Sequence, residues 1–281
     1  MSSTDVIIVK SNGERERFDI KKLETSLAKL NASGRVIGLI CDHVVKELRE
    51  GMSTSEIYTH AYSLLRRHER PVALKYSIRR AVTELGPSGF PFEKFIAEVY
   101  KARGYKAETN LSAMGHCVEH EVDVMAWNEN KLIIAEAKFH NAIGLKSDLK
   151  VALYVKARFD DLKDTLFSVE GKKRKFDEAC LITNTKFTSH ATNYAECSNL
   201  RIIGWNYPKE GNLHSIIEDF NLHPITALTT LSSSEKRDFI LKGLVLTKNL
   251  SSDILINNSI KETRVDSIIQ EIRELHQPYS K

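Results

Sequence analysis

Asp123, Glu136 and Lys138 are the residues of this chain whose types and spacing most clearly suit chemistry. They lie in two mainly apolar stretches, 121–127 and 131–138, joined by the polar turn Asn128-Glu129-Asn130. That pattern predicts a β-hairpin. Pairing of its strands puts Asp123 and Glu136 side by side on neighbouring strands. Glu136 and Lys138 are two apart, so they share a face. Val122, Val124, Ile133 and Ile134 make the surroundings apolar, and charges buried there are costly without partners. A divalent cation relieves that cost, and hard oxygen ligands suit Mg2+ or Mn2+. A lysine alongside can orient or deprotonate an attacking water and stabilise charge on a phosphate. The competing reading is an exposed hairpin face with an ordinary cross-strand salt bridge.

A sheet flanked by helices is needed to hold such a group. Upstream, residues 92–103 predict an amphipathic helix (Phe92, Phe95, Ile96, Val99) that carries Glu93 and is stopped by Gly104. Downstream, a long helix is expected over 147–166, a buried strand over 179–183, a helix over 189–197 and a strand over 200–205. This order predicts an α/β sandwich rather than a regular (βα)n barrel. Two glycines and two prolines within 85–91 mark a boundary before it.

The chain ahead of that boundary begins with a strand over Val6–Val9, a turn at Ser11-Asn12-Gly13 and a returning strand over 14–18. A helix follows on Leu23, Leu27 and Leu30, then one over about 35–50. Ser53 and Glu56 have the spacing of a capping box, opening a helix through Ile57, Ala61, Leu64 and Leu65. A last helix is expected from Pro71 through Leu74, Ile78 and Val82. Residues 221–281 read as helical. A small bundle is expected around Lys242-Gly243-Leu244, and a final apolar stripe runs through Val265, Ile268, Ile269, Ile272 and Leu275. The expected fold class is α/β and multidomain, with parts at 1–88, 89–220 and 221–281.

The 281 residues are 42% hydrophobic and 28% charged, as in an ordinary globular protein. No apolar run approaches the roughly 18 residues of a membrane span. The opening MSSTDVIIVKSNG has no basic stretch followed by an apolar one, so no secretory leader is expected. Cys41, Cys117, Cys180 and Cys197 are scattered, without a CxxC pair. That excludes a zinc ribbon and a disulfide scaffold and suits a reducing cytoplasm. The net charge of +4 resides in the first 90 residues, with 15 basic and 11 acidic side chains; the rest holds 26 of each. Any contact with DNA therefore depends on a local basic surface.

The run Phe92-Glu93-Lys94-Phe95, Arg103-Gly104-Tyr105, His120-Glu121-Val122-Asp123, Glu136-Ala137-Lys138 resembles the PD-(D/E)xK nuclease superfamily. Within it, the likeness is to the Mrr-like restriction endonucleases and archaeal Holliday-junction resolvases. It continues through 152–159 and Thr183-Asn184-Thr185-Lys186-Phe187-Thr188, and covers about 85–207. The resemblance implies a restriction-endonuclease-like α/β sandwich. It implies metal ligation by Asp123 and Glu136, with Glu93 accessory, and Lys138 as base or water-orienting group. No proline precedes Asp123, as in many members.

Val9-Lys10-Ser11-Asn12-Gly13, Phe18-Asp19, Lys22-Leu23 and the segment 51–57 resemble the ATP-cone, a regulatory nucleotide-binding domain of ribonucleotide reductases, over about 4–84. The resemblance implies that Val9, Lys10, Ser11, Glu16, Asp19, Lys22, Leu23 and Thr54 hold ATP or dATP. Lys10 and Lys22 would meet the triphosphate, and Val9 and Leu23 the base. Ser11 stands where the family usually has arginine. No G-x-x-x-x-G-K-[ST] is present, so P-loop hydrolysis is not expected.

His116 and His120 are i, i+4 but precede a strand, which disfavours a helical metal pair; His120 could touch DNA or water. Lys172-Lys173-Arg174-Lys175 reads as a solvated basic loop that offers phosphate contacts. Residues 228–250 faintly resemble a helix-hairpin-helix DNA-contacting unit. The expected function is a nucleotide-regulated, metal-dependent DNA endonuclease of defence or repair that uses metal-activated water, as a homo-oligomer. The alternative is a non-catalytic DNA-binding regulator that senses ATP or dATP.

Overall fold

The computed structural model describes residues 6–10, 13–28, 32–69, 72–73, 76–86, 88–142 and 144–276. Ser11, Asn12, Leu30, Pro71 and Leu74 lie outside the described residues. No helix is long and apolar enough to cross a membrane among those described.

The first part pairs β1 (Ile7–Val9) with β2 (Arg15–Arg17), antiparallel, with Val9 opposite Arg15. Three helices follow: α1 (Ile20–Ala28), α2 (Gly34–Glu47) and α3 (Thr54–His68). The segment before α3 runs along β1, where Val9 N–H donates to the Met52 carbonyl at 3.0 Å. Both arms of the expected capping box at Ser53 and Glu56 are formed. Ile8, Phe18, Leu23, Leu27, Ile40, Met52 and Leu65 close one core beneath the hairpin.

The short helix α4 (Ile78–Thr83) does not join that core. Ile78, Val82 and Leu85 pack instead with Phe92, Phe95, Trp205 and Leu213 of the second part. Arg79 lies over the Trp205 ring, 5.7 Å from its centre. On the other flank Arg80 lies over Tyr58, which is stacked on Tyr62 and Tyr76. The Thr226 hydroxyl donates to the Ala81 carbonyl at 2.5 Å. One helix thus touches all three parts of the chain.

The second part is built on a five-stranded sheet flanked by helices. Its elements are α5 (Phe90–Ala102), β3 (Lys106–Met114), β4 (Glu119–Trp127), β5 (Leu132–Lys138), β6 (Lys146–Ser147) and α6 (Leu149–Leu162). Then come β7 (Phe167–Val169), β8 (Lys172–Arg174), β9 (Glu178–Thr183), β10 (Lys186–Phe187), α7 (Ser189–Cys197), β11 (Arg201–Ile203) and α8 (Leu213–Asp219). The strand order is β11-β9-β5-β4-β3. β3, β4 and β5 are antiparallel neighbours, whereas β5, β9 and β11 run parallel. Residues of α5 pack with Val124, Ala126, Ile133 and Ala135; Ala152 and Val155 of α6 and Ala191 of α7 pack with Ile134 and Leu181. Alternation along β5 therefore feeds two cores, one on each face.

Five strands of this part, β3, β6, β7, β8 and β10, are not expected from the sequence. β3 has no counterpart in the sequence pattern; it is an edge strand whose inward residues, such as Ala107 and Ala113, are small. The basic run 172–174 forms a strand rather than a loop. Glu170 and Gly171, both at positive φ (51° and 76°), close the turn between β7 and β8, a conformation suited to two-residue hairpin turns.

The third part holds α9 (Ser233–Leu241), α10 (Ser252–Asn257) and α11 (Glu262–His276). Glu271 is fully buried, and its carboxylate accepts from the backbone N–H and hydroxyl groups of Thr229 and Thr230. The turn at Lys242-Gly243, within the stretch that faintly resembles a helix-hairpin-helix unit, lies against Lys94 of α5.

Candidate nuclease site

The ladder between β4 and β5 ends with Val124 opposite Ala135. One step further, Asp123 comes opposite Glu136. There the backbone ladder gives way to a side-chain bond: the Ala137 N–H donates to Asp123 Oδ2 at 2.8 Å. Across β4 on its other side, Asn110 of β3 is at φ +58°. Beyond this point the outer hairpin turns over. Val124 and Ala126 pack under α5, whereas Val122 and Ala113 pack with α6. The two carboxylates therefore sit where the sheet opens, a place where a pleat can point polar groups at a common space.

Lys138 is opposite Thr183 on β9, on the same face as Glu136. The end of β5 is fixed by Asn184, whose side chain accepts from His140 N–H at 2.9 Å and donates to its carbonyl at 2.8 Å. Glu93 enters from the first turn of α5 and lies against Gly89, where an added Cβ would be 3.3 Å from its carboxylate. Gly86 gives room to Phe139, the residue after Lys138; a Cβ there would stand 2.5 Å from that ring. Phe139 in turn meets Phe92 at 5.5 Å between ring centres. The Gly/Pro-rich connection thus seats α5 directly against the end of β5.

Burial raises the pKa of Asp123, opposed by the Ala137 N–H and the Arg158 charge. Burial and the Asp123 charge raise that of Glu136, opposed by Arg158 and Lys138. Glu93 is pushed up to about 7 by burial, then by the charges of Asp123, Glu121 and Glu136. Three acids that repel one another in partial burial are a donor set that fits a hard divalent cation. As they stand, no three His, Cys, Asp or Glu groups among the described residues converge closely enough to hold one.

Arg158 of α6 stands in the way. Its guanidinium donates to Glu136 Oε2 at 2.5 Å and to the Tyr154 hydroxyl at 2.6 Å. Its charge centre lies 4.6 Å from the Tyr154 ring centre. Sequence reasoning assigned neither residue a role, although their i, i+4 spacing on a helix was visible. Beside them, Asp161 accepts from His120 at 2.8 Å and from the backbone N–H groups of Cys117 and Val118, and so fastens the β3–β4 turn to α6. These bonds hold the Asp161 carboxyl far below the usual carboxylate range.

A stability measurement tests the placing of Glu93. Its pKa stands above the ordinary value, so the folded protein holds the proton more tightly than the unfolded chain. Stability from this group is present at low pH and is lost as pH rises from about 4.5 to about 7. In metal-free protein, Glu93→Gln should flatten the fall of the thermal midpoint between those values. An unchanged pH slope would mean that Glu93 is not held in this buried, acid-crowded position.

In the first part, Lys10 donates to Glu14 at 3.3 Å and stands 3.1 Å from Glu16, and Lys22 donates to Glu16 at 3.1 Å. Glu16 thus joins the two lysines expected to meet a triphosphate. Asp19 accepts from Lys21 N–H at the start of α1. Leu23 is buried in the core, while Val9 is half-buried and bridges to Ser53, the neighbour of Thr54.

Family models match three consecutive stretches: an ATP cone domain over 6–84, a restriction endonuclease of the Mrr catalytic type over 86–208, and an AF1548-like C-terminal domain over 223–276. An uncharacterized protein of Archaeoglobus fulgidus is 32% identical over 157 residues, covering 56% of this chain and 84% of that protein. The crystal structure of AF1548, a protein of unknown function, is similar with a TM-score of 0.55 and 28% identity, over 67% of this chain and 98% of that one. The structure of VC1899 from Vibrio cholerae is 18% identical over 74% of this chain and 53% of that one, with a TM-score of 0.28, too low to bear on fold.

Proposed function

The chain belongs to the family of the Archaeoglobus fulgidus protein and joins an ATP cone to a restriction endonuclease domain; on that premise we propose that it is a divalent-metal-dependent DNA endonuclease regulated by ATP or dATP. The observation that carries this reading is Asp123 across from Glu136 at the opening of the sheet, with Lys138 one pleat further on the same face. Asp123 and Glu136 would hold Mg2+ or Mn2+, with Glu93 accessory. When bound, the ion supplies positive charge for the phosphate oxygens and acidifies water. Lys138 orients the attacking water and takes or shares its proton. The Ala137 N–H holds Asp123 in place, and the Asn184 clasp keeps the end of β5 rigid.

The test is incubation of supercoiled plasmid with Mg2+ or Mn2+, with and without ATP. Cleavage that needs the ion is expected. DNA that is bound but never cut would favour the regulator reading. ATP, dATP or a non-hydrolysable analogue should alter the cleavage rate or the oligomeric state, because binding alone biases one arrangement over another.

Lys10 and Lys22 give this a sharper form. Lys10→Ala with Lys22→Ala removes two charge-assisted hydrogen bonds to phosphate, each worth about 1.4 kcal/mol. Nucleotide affinity should fall roughly a hundredfold and the response should vanish, with basal cleavage untouched. Calorimetry without binding heat at millimolar ATP would sink the regulatory part, and the serine at Ser11 would then be the residue to examine.

A further inference from the structure

We propose that Arg158 is the phosphate-contacting residue of the nuclease site, held in reserve on Glu136 until a divalent cation takes that carboxylate. The inference rests on the nuclease reading above and adds a residue to it.

The Arg158 side chain is only 10% exposed, yet its bonding is incomplete. Two of its nitrogens are engaged, by Glu136 and by the Tyr154 hydroxyl, while Nε is buried without a hydrogen-bond partner among the described residues. A buried pair that leaves a donor unsatisfied gains little from its own attraction. Such a pair exchanges readily for a better one.

Glu136 serves two cations at once only at a cost. An arginine and a divalent ion on one carboxylate repel each other at close range. Filling the metal site therefore frees the guanidinium. Its planar fork then lacks an anion, and a phosphodiester is the anion that a loaded nuclease site brings. Arginine matches the paired oxygens of a phosphate with two parallel N–H bonds.

There is room for the movement. Arg158, Tyr154 and Asp161 of α6 line a groove of about 920 Å3 between that helix and the β3–β4 turn, with His116 and His120 on its other wall. Tyr154 is 56% exposed. The guanidinium can turn over that ring toward solvent and keep its cation–π attraction while it changes partner. Asp161 is already engaged by His120 and two backbone N–H groups, so it does not compete for the fork.

The test uses the full chain and two binding measurements. Calorimetry with Mn2+ should show affinity that depends on Asp123. In Arg158→Ala, Mn2+ should bind roughly tenfold more tightly, because Glu136 no longer has to give up its ion pair with the guanidinium. The same variant should bind a DNA duplex at least about tenfold more weakly in Ca2+, read by fluorescence anisotropy. A residue that merely supports the fold would weaken both. Should the alanine variant misfold by circular dichroism, Arg158→Gln keeps the bulk and a donor for Tyr154 without the charge, and the same pair of opposite shifts is expected. Mn2+ affinity unchanged or weakened in a folded variant overturns the role of Arg158 and leaves the nuclease reading standing. Absence of Asp123-dependent Mn2+ binding in the wild-type chain overturns the nuclease reading, and this inference with it.

Discussion

Asp123→Asn should remove cleavage of plasmid DNA, by at least about 10³-fold, while the protein stays folded. The size follows from the several kcal/mol of charge stabilisation that a bound ion supplies in such chemistry. Asparagine is the informative replacement. It keeps an oxygen to accept from the Ala137 N–H, so the junction of β4 and β5 is preserved. It removes the charge that makes this position a ligand. Alanine would also empty the site, but it would leave a buried N–H unsatisfied, at about 1–3 kcal/mol. Unaltered circular dichroism together with abolished cleavage and abolished Mn2+ binding is the expected set. Cleavage within tenfold of wild type would show that the carboxylate does not serve the reaction.

Lys138→Ala should slow cleavage by roughly 10²–10⁴-fold, the usual range for removal of a proton-transfer or water-orienting group. Mn2+ binding should survive, since the ammonium is not a ligand. It should even tighten slightly, because a positive neighbour of Asp123 and Glu136 is gone. This split between binding and rate separates Lys138 from the carboxylates. Single-turnover cleavage at saturating Mn2+ measures it. A normal rate in the variant would remove Lys138 from the chemistry and leave it as a charge-balancing group.

The hairpin that carries the candidate site was legible in the sequence because it follows local rules. Two apolar stretches with a polar turn dictate a hairpin, and the period of two puts Glu136 and Lys138 on one face. The capping box at Ser53 and Glu56 is equally local, since both partners lie within one turn. The strand β3 obeys no such signal. Apart from Leu111 and Met114, its residues KAETNLSAM are polar or small, and its pairing is enforced by β4 rather than by its own apolar alternation. The end of α2 comes at Glu47, short of residue 50, because Leu48 turns extended to let the chain run back along β1. Arg158 was invisible for another reason. Helical spacing says that it lies on one face with Tyr154, but which strand that face meets depends on how the sheet twists at Asn110 and Asp123.

The helix α4 gives the chain's history a constraint. By sequence likeness it closes the ATP cone, which ends at residue 84, just ahead of the nuclease match that begins at 86. By packing it is part of the nuclease interior through Ile78, Val82 and Leu85. Recombination that exchanged the cone at that seam would carry away a piece of its neighbour's interior. The two parts therefore share an interior at this seam and are not freely interchangeable cassettes. A chain that swapped its cone would need a compensating set of apolar residues at these positions before the neighbouring domain could fold.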